Sequence, residues 1–218
     1  MKKHMESQIA GLFLNTSPPD STPQPCRDLQ ECIQVVEAMN LKAFFDERYH
    51  KCFKPCCLDP SHKVVHIRGN PPSKYVLPTG WCRVGIKVSD GIANANNIWK
   101  GWHVSFHGTT HAAIPSILAH GGSLLFPGDK LLDGTVLGIR EGHIANVKGA
   151  FTSPTVRYSS LPVYAQRHTL PDGRTVQFVL QLRQAPGTYR IQGETVNWKR
   201  RNGDTPIDPH FSNNEVLN

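Results

Sequence analysis

No stretch of this 218-residue chain carries enough consecutive apolar residues to span a bilayer, and no charged-then-apolar leader opens it. That pattern excludes a membrane-spanning helix, so an intracellular protein, of cytoplasm or nucleus, is expected. Walker loops, GxGxxG turns and GxSxG elbows are also missing, which argues against a kinase, a Rossmann-type dehydrogenase and a serine esterase. No internal repeat is visible. The six cysteines do not follow the paired CxxC…CxxC spacing, and without an export signal they are expected to be reduced, not paired in a disulfide framework. Acidic residues are the minority, with 17 Asp and Glu against 24 Lys and Arg, a formal charge of +7 and a pI near 9.2. Such a surplus fits a phosphate-bearing or polyanionic partner; it fits a plain basic domain equally well.

What is present divides the chain into three. Met1–His4, ahead of Met5, read as vector-derived residues, and NTSPPDSTPQP over Asn15–Pro25 is too polar and proline-rich to fold. Residues 1–25 are therefore expected to be a disordered tag and linker. Over 26–80 an N-terminal helix precedes a Cys-rich segment. Leu29, Ile33, Val36, Met39 and Phe44 recur at helical spacing between Asp28 and Phe45, with Asp28 and Glu31 in the first turn. Prolines 55, 60, 71, 72 and 78 then punctuate the cysteines. From Trp81 to the end, strands dominate: Val84–Val88, Trp102–Phe106, and Val176–Arg183, where Phe178, Leu180 and Leu182 share one face. Asp172-Gly173 supplies a turn before the last of these. Scattered strands with few helices indicate an α+β fold built on antiparallel sheets.

The most informative stretch is WHVSFHGTTHAAIPSILAHGG, Trp102 to Gly122. An alternating strand runs into His107-Gly108-Thr109. Thr109 or Thr110 can cap a short helix with Ile114, Ile117 and Leu118 on its apolar side. Pro115 fits in that helix's first turn and Gly121-Gly122 end it. A histidine and a glycine thus stand at the mouth of a strand-to-helix turn, where the imidazole can exchange hydrogen bonds and Gly108 can admit a ligand close to the backbone. The glycine-rich segment from Gly128 to Gly149 has the length of a lid or binding loop.

His50, Cys52, Cys56, Cys57, His62, His66 and Cys82 crowd one loop-rich segment, and zinc requires only four thiolate or imidazole ligands. The expected set is Cys52, Cys56 or Cys57, Cys82, and one of His50, His62 or His66. Such a site would be structural, because the segment lacks the apolar content to fix itself. The plain alternative is that Cys57 and Cys82 are small buried hydrophobes.

Further on, Phe151-Thr152-Ser153-Pro154 reads as a short strand ending in hydroxyls; Tyr158 and Tyr164 follow, and Asn213-Asn214-Glu215 leads into a last apolar run. The order FHGT…GxxL…FTSP…Y…YA…NNE, preceded by GWCRVGI, resembles the poly(ADP-ribose)-polymerase-like ADP-ribosyltransferases. Within that class it looks most like the C-terminal ADP-ribosyltransferase-like region of Neuralized-like proteins, from Pro78 to the C-terminus.

The resemblance implies a split antiparallel β-sheet core with short flanking helices over 81–218. It also implies mono-ADP-ribosyl transfer from NAD+ to a protein, nucleic-acid or other phosphate-bearing acceptor, with NAD hydrolysis possible. His107 and Glu215 would be the catalytic pair, His107 holding the adenosine-side ribose and Glu215 supplying the carboxylate. Gly108, with Thr109 beside it, would clamp the nicotinamide carboxamide. Tyr158 or Tyr164 would stack on the nicotinamide, with Ser153 or Thr155 nearby. Phe151 stands where the family has tyrosine, so a hydroxyl is lost and the stacking face kept. Trp198, Lys199, Arg200 and Arg201 lie in the acceptor-facing loop and combine charge with a stacking surface; a solvated basic loop is the alternative. Only three residues follow Glu215, short for a paired strand. Two other readings stand beside the enzyme: an inactive NAD- or ADP-ribose-binding adaptor, and a zinc-supported nucleic-acid-binding module.

Overall fold

A computed structural model describes residues 7–16, 27–139, 147, 149–195, 206–211 and 215–217. In chain order its strands and helices are β1 (Ser7–Thr16), α1 (Arg27–Ala38), β2 (Lys51–Cys52), β3 (Val65–Arg68), β4 (Ser73–Val76) and β5 (Cys82–Gly85). There follow α2 (Asp90–Ala95), α3 (Ile98–Gly101), β6 (His103–Thr109), α4 (Ile114–Ala119), β7 (Phe151–Thr152) and α5 (Val156–Ser159). The last are β8 (His168–Thr169), β9 (Thr175–Gln184), β10 (Arg190–Gln192) and β11 (Glu215–Leu217). The α+β class is as expected, with antiparallel pairing throughout and short helices.

The main sheet runs β2-β5-β1-β9-β6, with β8 hanging on β9; a second sheet runs β10-β11-β7, and β3-β4 is a separate hairpin. Among the described residues the two sheets meet at one isolated bridge, Phe106↔Ser153, closed by reciprocal amide-to-carbonyl bonds of 2.7 and 2.8 Å.

The expectation of an unfolded leader over 1–25 is corrected for Ser7–Thr16. Those residues form a central strand between β5 and β9, with Ile9, Leu12, Phe13 and Leu14 fully buried. Ile9–Leu14 is a short, nearly continuous apolar run, the pattern of a strand covered on both faces; the polar residues beyond it masked the signal. A register shift between Ile9 and Gly11 marks a bulge there. The expected boundary near residue 80 does not divide cores either. Cys32, Val35 and Val36 of α1 pack in one cluster with Val84 of β5 and with Phe178, Leu180 and Leu182 of β9.

β9 keeps the alternation read from its sequence. Phe178, Leu180 and Leu182 face α1 and α4, while Val179 faces the opposite cluster of Phe13, Phe53, Trp81 and Phe106. Helix α1 is shorter than its apolar spacing indicates. It stops at Ala38, the backbone turns left-handed at Asn40 (φ 60°), and Lys42–Phe44 resumes as a single tight turn. After β6, His111–Ala113 form a tight turn leading into α4, with Pro115 in the first turn as expected. Neither proposed cap acts: Thr109 belongs to β6, and the Thr110 side chain makes no capping hydrogen bond.

Candidate functional site

A cavity of about 290 Å³ opens beside the bridge where the two sheets separate. His107, Gly108 and Thr109 at the end of β6 line one side, and Phe151, with Tyr158 and Tyr164 beyond it, lines another. The remaining wall is mostly apolar and comes from α4 and the loop through Leu125, Leu131 and Leu137, with Asp133 the charged residue of that loop at the cavity. These leucines were not singled out in the sequence, where the loop was read for its glycines and charges. The volume is near the lower end for small-molecule sites. Six residues assigned to a cofactor by resemblance, spread over more than fifty positions of sequence, thus share one cavity.

Its histidine is oriented by the protein itself. His107 Nδ1 lies 2.7 Å from the Phe151 carbonyl oxygen. A carbonyl only accepts, so Nδ1 carries the proton and donates, which leaves Nε2 as the acceptor nitrogen of the neutral ring. The bond also ties β6 to β7 beyond the single bridge.

Gly108 turns out differently from the sequence reading. A Cβ there would stand 2.0 Å from the Ser159 carbonyl oxygen, 2.8 Å from Tyr164 Cβ and 3.1 Å from the Ala165 nitrogen. The close approach that demands glycine is thus made by the chain's own α5 segment, although Gly108 also borders the cavity. That approach seats the tyrosines. Tyr158 and Tyr164 are buried with ring centroids 5.4 Å apart, and their hydroxyls meet at 3.1 Å. The Tyr158 hydroxyl accepts the Thr195 amide at 3.2 Å, and the Tyr164 hydroxyl lies 3.2 Å from Thr195 Oγ1.

Ser153 and Thr155 lie apart from the cavity. Both are fully buried. Ser153 forms the inter-sheet bridge and its hydroxyl accepts the Thr155 amide at 3.1 Å; the Thr155 hydroxyl caps α5 by accepting the Tyr158 amide at 3.1 Å. Their work is to set the segment carrying the tyrosines.

For Glu215 the backbone alone is described. β11 pairs with β10 through Gln192↔Glu215 and with β7 through Val216↔Thr152. Thr152 lines the cavity, so the chain position of Glu215 is one residue from the partner of a cavity wall. β11 is short, yet it is held on both edges. Trp198, Lys199, Arg200 and Arg201 lie outside the described residues.

The thiols converge more than their irregular spacing indicated. Cys52, Cys56 and Cys57 place their sulfurs within 4.8 Å of one another, with Cys52–Cys56 at 4.0 Å and Cys56–Cys57 at 3.7 Å. Two thiolates on one zinc stand about 3.8 Å apart for Zn–S bonds of about 2.3 Å. This cluster could hold a metal ion. Cys82 is the register partner of Cys52 across β2–β5, and its thiol lies within electrostatic reach of those of Cys32 and Cys52. Burial pushes the Cys52 thiol up; the neighbouring Cys32 thiol, then burial, does the same to Cys82. Both therefore hold their protons at neutral pH until something replaces them. The Lys54 amide donates to Cys52 Sγ at 3.4 Å, and its ammonium, paired with Asp28 at 2.9 Å, lies in the electrostatic reach of Cys32 and Cys82.

The histidines expected to complete the set are elsewhere. His50 Nδ1 accepts the Gly85 amide at 3.0 Å and its ring packs edge-on against Phe45, so it fastens a turn to β5. His62 Nδ1 donates to the Asp59 carbonyl and His66 Nε2 to the Lys63 carbonyl. Cys32 sits on a helix face that reads as core and is buried there.

No known family model matches this chain, and no solved structure matches it. Among the described residues no helix is long and apolar enough to cross a membrane.

Proposed function

We propose that the chain is an NAD+-dependent mono-ADP-ribosyltransferase whose reaction takes place in the cavity between the two sheets. The observation that carries this reading is the convergence on one cavity of His107, Gly108, Thr109, Phe151, Tyr158 and Tyr164. In the reaction the bond between the ribose anomeric carbon and the nicotinamide nitrogen breaks. Nicotinamide leaves as a neutral molecule with the bonding pair, so no general acid is needed. The acceptor nucleophile then bonds to that carbon and gives up its proton.

The ribose carbon becomes oxocarbenium-like as the bond breaks, and a carboxylate beside it opposes the developing charge. Glu215 takes that role and polarises the nucleophile. His107, held by the Phe151 carbonyl, positions the adenosine-side ribose. The Tyr158–Tyr164 pair, held by Thr195 and by the tight seat at Gly108, gives the nicotinamide ring a rigid stacking surface. The acceptor loop is Trp198–Arg201, suited to protein, nucleic-acid or phosphate groups. Structural zinc at Cys52, Cys56 and Cys57, with Cys82 as the fourth thiolate, fixes the edge of the main sheet.

Nicotinamide release from NAD+ tests the reading, using wild type and Glu215→Gln. Turnover by wild type that falls about a hundredfold in a folded Glu215→Gln protein, at similar NAD+ affinity, is the expected result. Equal turnover in the two proteins would overturn the role of Glu215. The second reading, an inactive NAD- or ADP-ribose-binding adaptor, rests on Phe151, which lines the cavity without the hydroxyl of the resembled family. Tight ADP-ribose binding with no nicotinamide release would establish it.

A further inference from the structure

The face of the main sheet opposite the cavity carries a charge problem that the proposed reaction does not use. Arg183 and Leu180 point to opposite faces of β9, and Leu180 is the register partner of His107. Arg183 is partly buried, and its Nε and Nη1 atoms are sealed from solvent with no hydrogen-bond partner. Its guanidinium lies over the Trp99 ring, 5.5 Å from the centroid. A stacked aromatic accommodates the cation's face and leaves its N–H edge unsatisfied.

Instead of an acid, more base surrounds it. Arg83 on β5 reaches across β1 at Gly11, where a Cβ would stand 2.8 Å from Arg83 Cδ and 2.9 Å from Cγ. Having crossed, Arg83 donates to Gln181 Oε1 at 3.3 Å and to the Tyr49 carbonyl at 2.9 Å, both neutral acceptors. Arg68, exposed at the end of β3, approaches from the hairpin, which docks onto α3 and β6 through Asn70 N to Gly101 O at 2.9 Å and His103 Nε2 to Pro71 O at 2.6 Å. Burial pushes the Arg183 guanidinium down to about 10; Tyr75 opposes the shift, and Arg68 and Arg83 add to it. Among the described residues no carboxylate pairs with any of the three arginines. Partly buried guanidiniums without counter-charge are costly, and a chain that gathers them gains only when an anion arrives.

We propose that Arg183, Arg83 and Arg68 form a binding site for a phosphate group on the sheet face opposite the His107 cavity. Phosphate fits better than a carboxylate, because guanidiniums carried by β5, β9 and the hairpin within electrostatic reach of one another call for oxygens in several directions. Trp99, Tyr75 and Tyr49, all at least partly exposed around the arginines, place aromatic surface beside the phosphate position. Arginines interleaved with aromatics suit a phosphate that belongs to a nucleotide, either free or within a nucleic-acid strand.

The test measures thermal unfolding of the full chain with inorganic phosphate, chloride or acetate at matched ionic strength. Phosphate should raise the melting temperature of wild type above the other two salts. In Arg183→Met, which keeps a long apolar stem on Trp99, phosphate affinity should drop about tenfold or more. Exposed Arg68→Ala, which spares the interior, should weaken it several-fold and keeps the test decisive if Arg183→Met does not fold. A phosphate-specific shift that survives both substitutions would place the phosphate elsewhere, including the His107 cavity, and overturn the proposal. Equal effects of the three salts would overturn it as well. The source is separated by titrating a short single-stranded DNA and a free mononucleotide. Salt-sensitive DNA binding lost in Arg68→Ala assigns the site to a strand, whereas mononucleotide binding alone, lost in the same variant, assigns it to a free nucleotide; either supports the site.

Discussion

Gly108→Ala separates a glycine kept for a ligand from one kept for the fold. Adding one methyl group places a carbon 2.0 Å from the Ser159 carbonyl oxygen, far inside van der Waals contact, with Tyr164 Cβ at 2.8 Å and the Ala165 nitrogen at 3.1 Å. Two of these three neighbours are backbone atoms, so no side-chain rotation relieves the clash. The Ser159–Ala165 segment must move by more than an ångström or β6 must bend. The moving segment carries the Ser159 hydroxyl bond to the Phe106 carbonyl at 2.9 Å and Tyr164, one member of the buried tyrosine pair. Overpacking of this kind costs typically 1–3 kcal/mol, and a contact with rigid backbone belongs at the upper end, about 3 kcal/mol. For a chain of this size that corresponds to a fall in Tm of roughly 6–12 °C. Gly134→Ala is the control. Its φ is +84° with nothing within 4 Å of the added carbon, so only left-handed backbone strain of about 1–2 kcal/mol applies. Urea unfolding of both variants, with NAD+ absent, reads the difference. Should Gly108→Ala be no less stable than Gly134→Ala, the packing argument fails and the glycine's role reverts to ligand access.

Chelation should tell whether the thiols hold metal: protein purified without chelator is expected to carry about one zinc per chain by elemental analysis. Cys52→Ser should lose that zinc and melt at lower temperature, whereas metal-free wild type with an unchanged Tm would refute the site. The stacked His111–His168 pair, with ring centroids 3.9 Å apart, should make the fold acid-sensitive. Burial, then the neighbouring His168, holds the His111 ring below its ordinary value of 6.5, so the unfolded chain binds that proton more readily than the folded one. The stability the neutral ring contributes is complete above that value and is lost as pH falls below it. His111→Gln should flatten this part of the Tm-against-pH curve, and an unaltered slope would show that another group sets it.

The sequence was most legible where one face of an element is buried. β9 alternates cleanly because each face meets its own core, and its faces read from sequence are those observed. β1 was hidden for the complementary reason. Covered on both sides, it has no alternation, and its six-residue apolar run sits between segments of linker-like composition. At the site, residue types were readable in order along the chain, but their division of labour was not. Ser153 and Thr155 looked like ligand hydroxyls and are caps and bridges, because a hydroxyl gives the same sequence signal in either role. The thiol cluster was half readable: the local cysteines were found in sequence, while the packing of Cys32 near Cys82 required knowing that α1 lies against β5. Arg83 and Arg183 carried no signal at all, since an arginine in an alternating strand is normally a solvated residue.

A common physical feature links the cavity, the thiols and the arginines. Each depends on backbone contacts made across strands that are distant in sequence, and β1 stands between them in the sheet. It separates β5, which carries Cys82 and Arg83, from β9, which pairs with β6 and so with His107. Gly11 on this strand gives Arg83 its passage toward Gln181, while Leu12 and Leu14 on the same strand pack with Cys52 and Cys82 in one core. A disturbance of β1 therefore reaches both edges, the thiols on one side and the strand bearing His107 on the other. The segment that looked least like folded protein is thus the strand through which the proposed zinc, phosphate and NAD+ sites are mechanically joined. Substitution of Leu12, fully buried between Val84 and Leu180 in register, would loosen all three together. Changes confined to Cys52, Arg68 or Glu215 act on one site each.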